Sequence, residues 1–446
     1  MNIIFPERLL PREVLPKIIP FLEAENIILL TGARQTGKTS LLYLLIRYLW
    51  NKGIPPSQIV YFDLENIYDF SLLENLKDFN DFWQVLKDKS INERKRVFIF
   101  IDEVQHLDNP SSFLKYLYDH YKPKLKFIVT GSSSLEIKKK FTDRLTGRVY
   151  RFVIRPLNFQ EFLEFKNEKE LAKIVSVFNL HFWISAKHPE EDFGKISLNN
   201  RHRLSSLLKE YLIFGGYPGV SLKENLLIKQ RDLQEIYSLY IRRDIRDIGE
   251  IGDVSGYNNL VSLLCFQIGN LVNDQELALS SGLSRSTVKK YLFLLENTYV
   301  LKLILPFFTN KRKEITKTPK VYFEDVGLRN GVINNFTLLD QRADKGAILE
   351  NFIFSELIKE DGLSQKIRFW RSQAKSEVDF IWQENINESY PVEVKLNYSR
   401  KQPFPPGFKS FISLYKPSRG FIIHLGEFDL LNFKKTKIYI IPAWTI

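Results

Sequence analysis

The stretch Ile27-Ile28-Leu29-Leu30-Thr31-Gly32-Ala33-Arg34-Gln35-Thr36-Gly37-Lys38-Thr39-Ser40-Leu41-Leu42 decides how this chain is read. An apolar run of strand character enters a loop bracketed by two glycines, and a helix-forming run leaves it. Gly32, Gly37, Lys38 and Thr39 fit the spacing G-x-x-x-x-G-K-[ST]. The glycines permit backbone conformations that a Cβ hinders, so successive N–H groups can turn inward on a phosphate chain. The helix after Thr39 aims its positive end at the same place. Gly32, Ala33, Arg34, Gln35, Thr36, Gly37, Lys38, Thr39 and Ser40 are therefore the expected cradle for ATP. Lys38 is expected at the β- and γ-phosphates, and the Thr39 hydroxyl on Mg2+. A bare glycine-rich turn is the alternative, and the flanking strand and helix argue against it.

A second apolar run, Val97-Phe98-Ile99-Phe100-Ile101-Asp102-Glu103, ends in two acids. At a strand end one P-loop unit downstream, Asp102 is expected to join the Mg2+ shell and Glu103 to orient the attacking water. Ile59–Leu64 reads as another buried strand. Phe127–Ser133 is one more, ending in small hydroxyl residues. Ligands of open α/β sheets sit at such ends, which makes Ser132 a candidate γ-phosphate sensor, with a simple turn as the alternative. Arg148 is either a surface arginine or a charge-stabilising finger for a neighbouring subunit's ATP.

The 446 residues suffice for about three domains. The formal net charge of +12 favours a polyanionic partner, nucleic acid first. A single cysteine, Cys265, excludes an intramolecular disulfide framework and any cysteine-rich zinc site. No apolar run is long enough to cross a bilayer, and the N-terminus lacks a signal-peptide layout, so the reading is a cytoplasmic protein without a membrane partner.

Certain linking motifs add a resemblance. Gly131-Ser132-Ser133-Ser134, Leu145-Thr146-Gly147-Arg148, Arg155-Pro156-Leu157-Asn158-Phe159-Gln160-Glu161-Phe162, Phe214-Gly215-Gly216-Tyr217-Pro218 and Tyr240-Ile241-Arg242-Arg243-Asp244-Ile245 resemble those of AAA+-type prokaryotic ATPases of the archaeal ATPase superfamily. Within it the chain is similar to members that carry a C-terminal domain of unknown function. The resemblance covers nearly the whole chain and implies ATP hydrolysis and a homo-oligomer, commonly a hexameric ring, although a monomer stays open. The stretch from about 168 to 200 looks like an insertion longer than such relatives usually have.

The expected layout is an AAA+ P-loop core over 1–155, a helical lid over 156–255, a winged helix-turn-helix over 256–319 and a last α/β domain over 320–446. Asn273–Val288 reads as helix, glycine turn, helix, with Ser284 capping the second helix and Arg285, Lys289 and Lys290 carrying its charge. Such a module either reads DNA through its second helix or serves as a packing unit. Lys311, Arg312, Lys313, Lys317 and Lys320 form a basic tract suited to phosphate, and Arg242, Arg243, Asp244 and Arg246 a charged helix.

In the last domain Glu350 shares a helix face with Ile353, Phe354 and Leu357. Strand alternation puts Val378, Phe380 and Trp382 on one side and Asp379 on the other. Glu393 and Lys395 then point to one face, away from the valines beside them. A helix acid, a strand Asp and Glu-x-Lys on the next strand resemble the PD-(D/E)xK nuclease core. The chemistry expected of it has Asp379, Glu393 and Glu350 around Mg2+, and Lys395 positioning or deprotonating water. Three readings stay open: a DNA-cutting ATPase, an ATP-driven DNA motor without a cut, and an ATP-gated binding or regulatory protein.

Overall fold

Apolar β-rich runs broken by glycine loops and helices build a parallel sheet, because each return strand needs a crossover. In the computed structural model these runs are β1 (Ile27–Thr31), β2 (Ile59–Asp63), β3 (Val97–Asp102), β4 (Leu125–Gly131) and β5 (Val149–Val153). They form a five-stranded parallel sheet in the order β2-β3-β4-β1-β5. Every residue of β1, β3 and β4 is buried, as strands covered on both faces require. Helix α1 (Lys38–Asn51) packs Leu41, Leu42 and Leu45 against one face, and α2 (Pro110–Tyr121) packs Leu114 and Leu117 against the other. The structure describes residues 5–76, 78–89, 91–131, 145, 147–240, 253–308, 318–361, 367–385 and 388–446. The chain divides into two compact units, Met1–Arg155 and Pro156–Ile446.

Within the second unit the long helices are α3 (Leu198–Phe214), α4 (Leu226–Leu239), α5 (Val254–Phe266), α6 (Asp274–Ser281) and α7 (Arg285–Asn297). Strands β6 (Leu301–Ile304) and β7 (Lys320–Phe323) pair antiparallel. Helices α8 (Val326–Val332) and α9 (Lys345–Asp361) lead to β8 (Ile367–Arg371), β9 (Glu377–Gln383) and β10 (Ser389–Val394). After α10 (Pro406–Tyr415) come β11 (Arg419–His424), β12 (Asp429–Phe433) and β13 (Thr436–Pro442). The six strands run in the order β12-β13-β11-β10-β9-β8, with an antiparallel meander from β8 to β10 and a parallel step from β10 to β11.

Three features of the second unit bear on the layout expected from the sequence. The stretch expected as a lid over the nucleotide shares its core with the C-terminal sheet: Phe159 and Tyr211 pack edge-on against Phe352 and Phe162 edge-on against Tyr211, in one cluster with Phe380, Val392 and Phe421. The segment 168–200 is likewise part of that core. Trp183 stacks near Phe178 and Phe428, and its indole N–H donates to the Thr445 carbonyl at 3.2 Å. Arg419 returns the link by donating to the Trp183 and Ala186 carbonyls at 2.6 and 2.7 Å. Finally, residue 320 begins β7, which completes the small sheet begun by β6.

A glycine pair fixes the junction between α3 and α8. Gly215 has φ +69°, and a Cβ there would lie 2.2 Å from the Asp325 carboxylate. A Cβ on Gly216 would lie 2.2 Å from the Leu157 carbonyl. The buried Asp325 accepts from the Gly216 N–H at 2.7 Å and, as N-cap of α8, from the Leu328 N–H at 2.8 Å. Asn330 adds bonds to the Leu212 and Ile213 carbonyls at the end of α3. Truncating Trp183 to alanine is expected to destabilise this unit by about 3–5 kcal/mol, the range for a buried large aromatic. Denaturant unfolding followed by tryptophan fluorescence and circular dichroism measures it; an unshifted midpoint would show that segment 168–200 adds nothing to the core.

Candidate functional site

The loop between β1 and α1 owes its shape to its glycines and to its neighbours in the first unit. Gly37 sits at φ +88° and Gln35 at φ +59°, left-handed turns that point backbone N–H groups toward one centre. Gly32 has φ +153°, and a Cβ there would fall 2.1 Å from the Ile154 carbonyl, so β5 leaves room only for glycine. Arg12, 7% exposed, braces the loop by donating to the Thr36 carbonyl at 2.7 Å and the Arg155 carbonyl at 2.9 Å. Lys38 is buried at the start of α1, with Nζ donating to the carbonyls of Ala33 at 2.9 Å and Gly32 at 3.3 Å. A lysine charge at a helix N-terminus is placed for phosphate oxygens.

Beside it, the Thr39 hydroxyl donates to Asp102 Oδ2 at 2.7 Å. Tyr61 donates to the same oxygen at 3.1 Å, and Thr130 donates to Oδ1. Burial pushes the Asp102 carboxyl upward, while the Thr130 and Thr39 hydrogen bonds oppose that shift. A hydroxyl and a carboxylate side by side at a phosphate cradle are the oxygen donors that Mg2+ accepts, so the residues fit the ion that accompanies ATP. Glu103 follows at φ +53°, a strained value for a non-glycine residue that turns its side chain out of the strand direction. Its N–H donates to Thr130 Oγ1 at 2.8 Å, and its carboxylate accepts from Gln105.

The structure brings Gly32, Lys38, Thr39, Asp102 and Glu103 together at one sheet end. It adds Arg12, Tyr61, Gln105 and Thr130, which sequence reading missed. Thr130 lies on β4, just before Ser132, the expected γ-phosphate sensor, which lies outside the described residues. Arg148 is bound within its own chain: Nε donates to Asp119 Oδ1 at 2.9 Å and Nη2 to Oδ2 at 3.3 Å. Arg242, Arg243, Asp244, Arg246, Lys311, Arg312, Lys313 and Lys317 also lie outside the described residues.

A second cluster forms in the C-terminal sheet. The β8–β9 register shifts between Arg368 and Trp370. As a result Val378 and Ile381 face one core and Phe380 and Trp382 the other, so the simple alternation expected for β9 fails at Asp379. Asp379 Oδ2 accepts from the Val394 N–H at 2.8 Å where β9 and β10 part. On β10, Val392 and Val394 do face one core together, and Glu393 Oε1 pairs with Lys395 Nζ at 2.6 Å. Glu393 Oε2 is buried without a hydrogen-bond partner among the described residues. Glu350 on α9 accepts from the Tyr322 hydroxyl at 2.5 Å. Burial first, and Asp379 second, push both Glu350 and Glu393 above the usual carboxylate range.

Lys320 overturns its expected place in an exposed basic tract. It is 2% exposed, with Nζ paired to Glu377, 3.6 Å from Glu350 Oε1, and 5.5 Å from the centre of the Phe369 ring. Among the described residues no three or more His, Cys, Asp and Glu side chains gather into a set that could hold a metal ion. The Mg2+ shell expected of Glu350, Asp379 and Glu393 is not gathered among the described residues, where Lys320 stands beside Glu350 and Glu377.

Comparison with known proteins agrees with the first site. Residues 24–163 match the family described as AAA domain, and the five-stranded parallel sheet lies within this segment. Residues 205–339 and 345–446 match two domains of unknown function, DUF8612 and DUF4143. An uncharacterized protein of Haemophilus influenzae is 25% identical over 82% of this chain and 82% of its own. One of Methanocaldococcus jannaschii is 27% identical over 89% of this chain and 80% of its own. The ORC2 protein of Aeropyrum pernix in its ADP form aligns with 67% of this chain and 90% of its own at 10% identity, and its TM-score of 0.34 is too slight to bear on the fold. No helix among the described residues is long and apolar enough to cross a membrane.

Asp102→Asn is expected to slow ATP hydrolysis roughly a hundredfold or more while nucleotide still binds, because the metal side of the site loses its charge. Phosphate release read beside fluorescent-nucleotide binding separates the two effects. Thr130→Val should give a smaller loss in hydrolysis with binding intact; unchanged turnover would remove Thr130 from the site.

Proposed function

We propose that this chain binds and hydrolyses ATP with Mg2+ and uses the cycle to act on DNA. The observation that carries the reading is the joined pair of features at one sheet end: Lys38 inside the glycine loop, and Thr39 hydrogen-bonded to Asp102 at 2.7 Å. Thr39 and Asp102 would hold Mg2+, which would supply charge neutralisation at the phosphates. Lys38 and the N-terminus of α1 hold the phosphates, and Glu103, turned out at the end of β3, orients the attacking water. Gln105 and Thr130 fix Glu103 from the side chain and the backbone respectively.

The DNA part of the reading rests on the helix-turn-helix-strand order of α6, α7, β6 and β7. Gly282, at φ +73°, makes the turn, and Ser284 caps α7 by accepting from the Thr287 N–H. The exposed face of α7 carries Arg285, Lys289 and Lys290, with Asp274 within 4 Å of the first two. As a winged helix-turn-helix, this module would lay α7 in the major groove. The overall charge of +12 favours the same partner.

A second reading, cleavage by the nuclease-like C-terminal sheet, is favoured by one observation. A helix acid, Asp379 at the strand fork and the Glu393-x-Lys395 pair share one electrostatic environment. With Lys320 among these acids, the arrangement described here suits recognition better than cutting.

Replacing Lys38 with alanine should abolish hydrolysis in a protein that still folds, and retained turnover would sink the ATPase reading. Reversing Arg285, Lys289 and Lys290 to glutamate should weaken DNA binding by about tenfold or more and flatten its salt dependence. Equal affinity and salt slope would take α7 out of the interface. If Arg148 serves a neighbouring subunit, its pair with Asp119 must open. Mixing Arg148→Ala with Lys38→Ala protein should then restore hydrolysis that neither has alone, and absence of recovery argues for the intrachain pair.

A further inference from the structure

Lys320 lies on the small sheet that follows the helix-turn-helix, yet its ammonium is spent on the acids of the larger sheet. It is held by Glu377 and by Glu350 at 3.6 Å, and lies near the face of Phe369. The strand that carries it is gripped along its length. The Gly269 N–H donates to the Val321 carbonyl at 2.9 Å, the Val272 N–H to the Pro319 carbonyl at 2.8 Å, and β6 pairs along the other edge. Gly269 closes the same spot from above, since a Cβ there would stand 2.9 Å from Glu350 Oε1. A buried ammonium kept in a carboxylate cluster by this many contacts is a structural counter-ion.

The acids need one. Glu350, Glu377, Asp379 and Glu393 lie in one electrostatic neighbourhood, while the basic groups facing them are Lys320, Lys395 and Arg371, the last 3.8 Å from Glu377. Lys395 is committed to Glu393, and its side chain is 44% exposed. Lys320 is the deeply buried cation of the set.

We infer that Lys320 is the resident cation of this cluster, standing where a divalent metal would otherwise be drawn, so that Lys320 and a metal compete for the same carboxylates. The helix-turn-helix region and the carboxylate centre are then coupled through one side chain: any shift of β7 that withdraws Lys320 leaves Glu350, Glu377 and Asp379 without their counter-charge. This inference rests on the nuclease-like reading of the last domain and not on the ATPase reading, which Lys38→Ala tests separately.

The test uses the full chain without nucleotide and Mn2+ as the probe, read by electron paramagnetic resonance. Lys320→Met and Lys320→Gln, both checked for folding by circular dichroism, should bind Mn2+ at least about tenfold more tightly than the parent chain. Adding Asp379→Asn should abolish the gain, and Lys320→Arg, which keeps the charge, should not show it. Equal affinity in the parent chain and the folded neutral variants overturns the inference. If neither neutral variant folds, acetylation of Lys320 in the parent chain, followed by mass spectrometry, reads the same competition. Millimolar Mn2+ should raise Lys320 modification relative to other buried lysines, and unchanged protection overturns the proposal.

Discussion

A carboxylate taken out of water must be given donors, a counter-charge or a proton, because leaving it bare costs several kcal/mol. This constraint organises the molecule. Asp102 meets it with three hydroxyls, from Thr39, Tyr61 and Thr130. Asp325 meets it with backbone N–H groups from Gly216 and Leu328. Glu356 meets it with Lys359 at 3.0 Å, the Tyr211 hydroxyl and the Phe159 N–H at 2.8 Å. Glu350 and its neighbours rely on Tyr322 and Lys320. In the first case the donors are ones that a metal ion can replace, which suits a site that cycles. In the second and third they are backbone or closely packed groups, which suits a permanent joint.

The linking motifs that signalled a family resemblance gain a physical meaning from this. Phe214-Gly215-Gly216-Tyr217-Pro218 sits against Asp325-Val326-Gly327 so closely that neither glycine of the pair tolerates a Cβ, and a Cβ on Gly327 would fall 2.1 Å from the Phe214 carbonyl. Asn158, from the Arg155–Phe162 motif, makes a full capping box with Glu161 on the helix that contributes Phe159 and Phe162 to the core. These residues are joints between distant segments. A pattern search finds the Gly215 joint and gives no reason for it, because Asp325 lies more than a hundred residues away.

What could be read from sequence follows from the range of the interactions involved. The P-loop was legible because a strand, a loop and a helix in unbroken succession define it, and so was the acid pair ending β3. Arg12 and Thr130 were not, since each acts by reaching an element far along the chain. The helix-turn-helix was legible from Gly282 and the cap at Ser284. The extent of the second unit was not, because the cue for a lid was helical pattern alone, whereas Phe159, Tyr211 and Trp183 find their partners beyond residue 340. Alternation located the Glu393 and Lys395 pair correctly but missed the irregularity at Asp379, which depends on how β8 meets β9. Lys320 looked like one more surface lysine in a basic tract until the fold placed acids around it.

One feature of the second unit bears on how the protein is made. Trp183 and Thr445 are hydrogen-bonded across 262 residues of sequence. At roughly 5–20 residues per second, translation delivers the second partner on the order of ten seconds or more after the first. Until the strands from residue 367 onward are made, the aromatic face built by Phe159, Phe162, Trp183 and Tyr211 has no sheet to cover it. The nascent chain thus carries an exposed apolar surface on the ribosome well after its nucleotide-binding sheet is complete, which makes it a natural client for chaperones during synthesis.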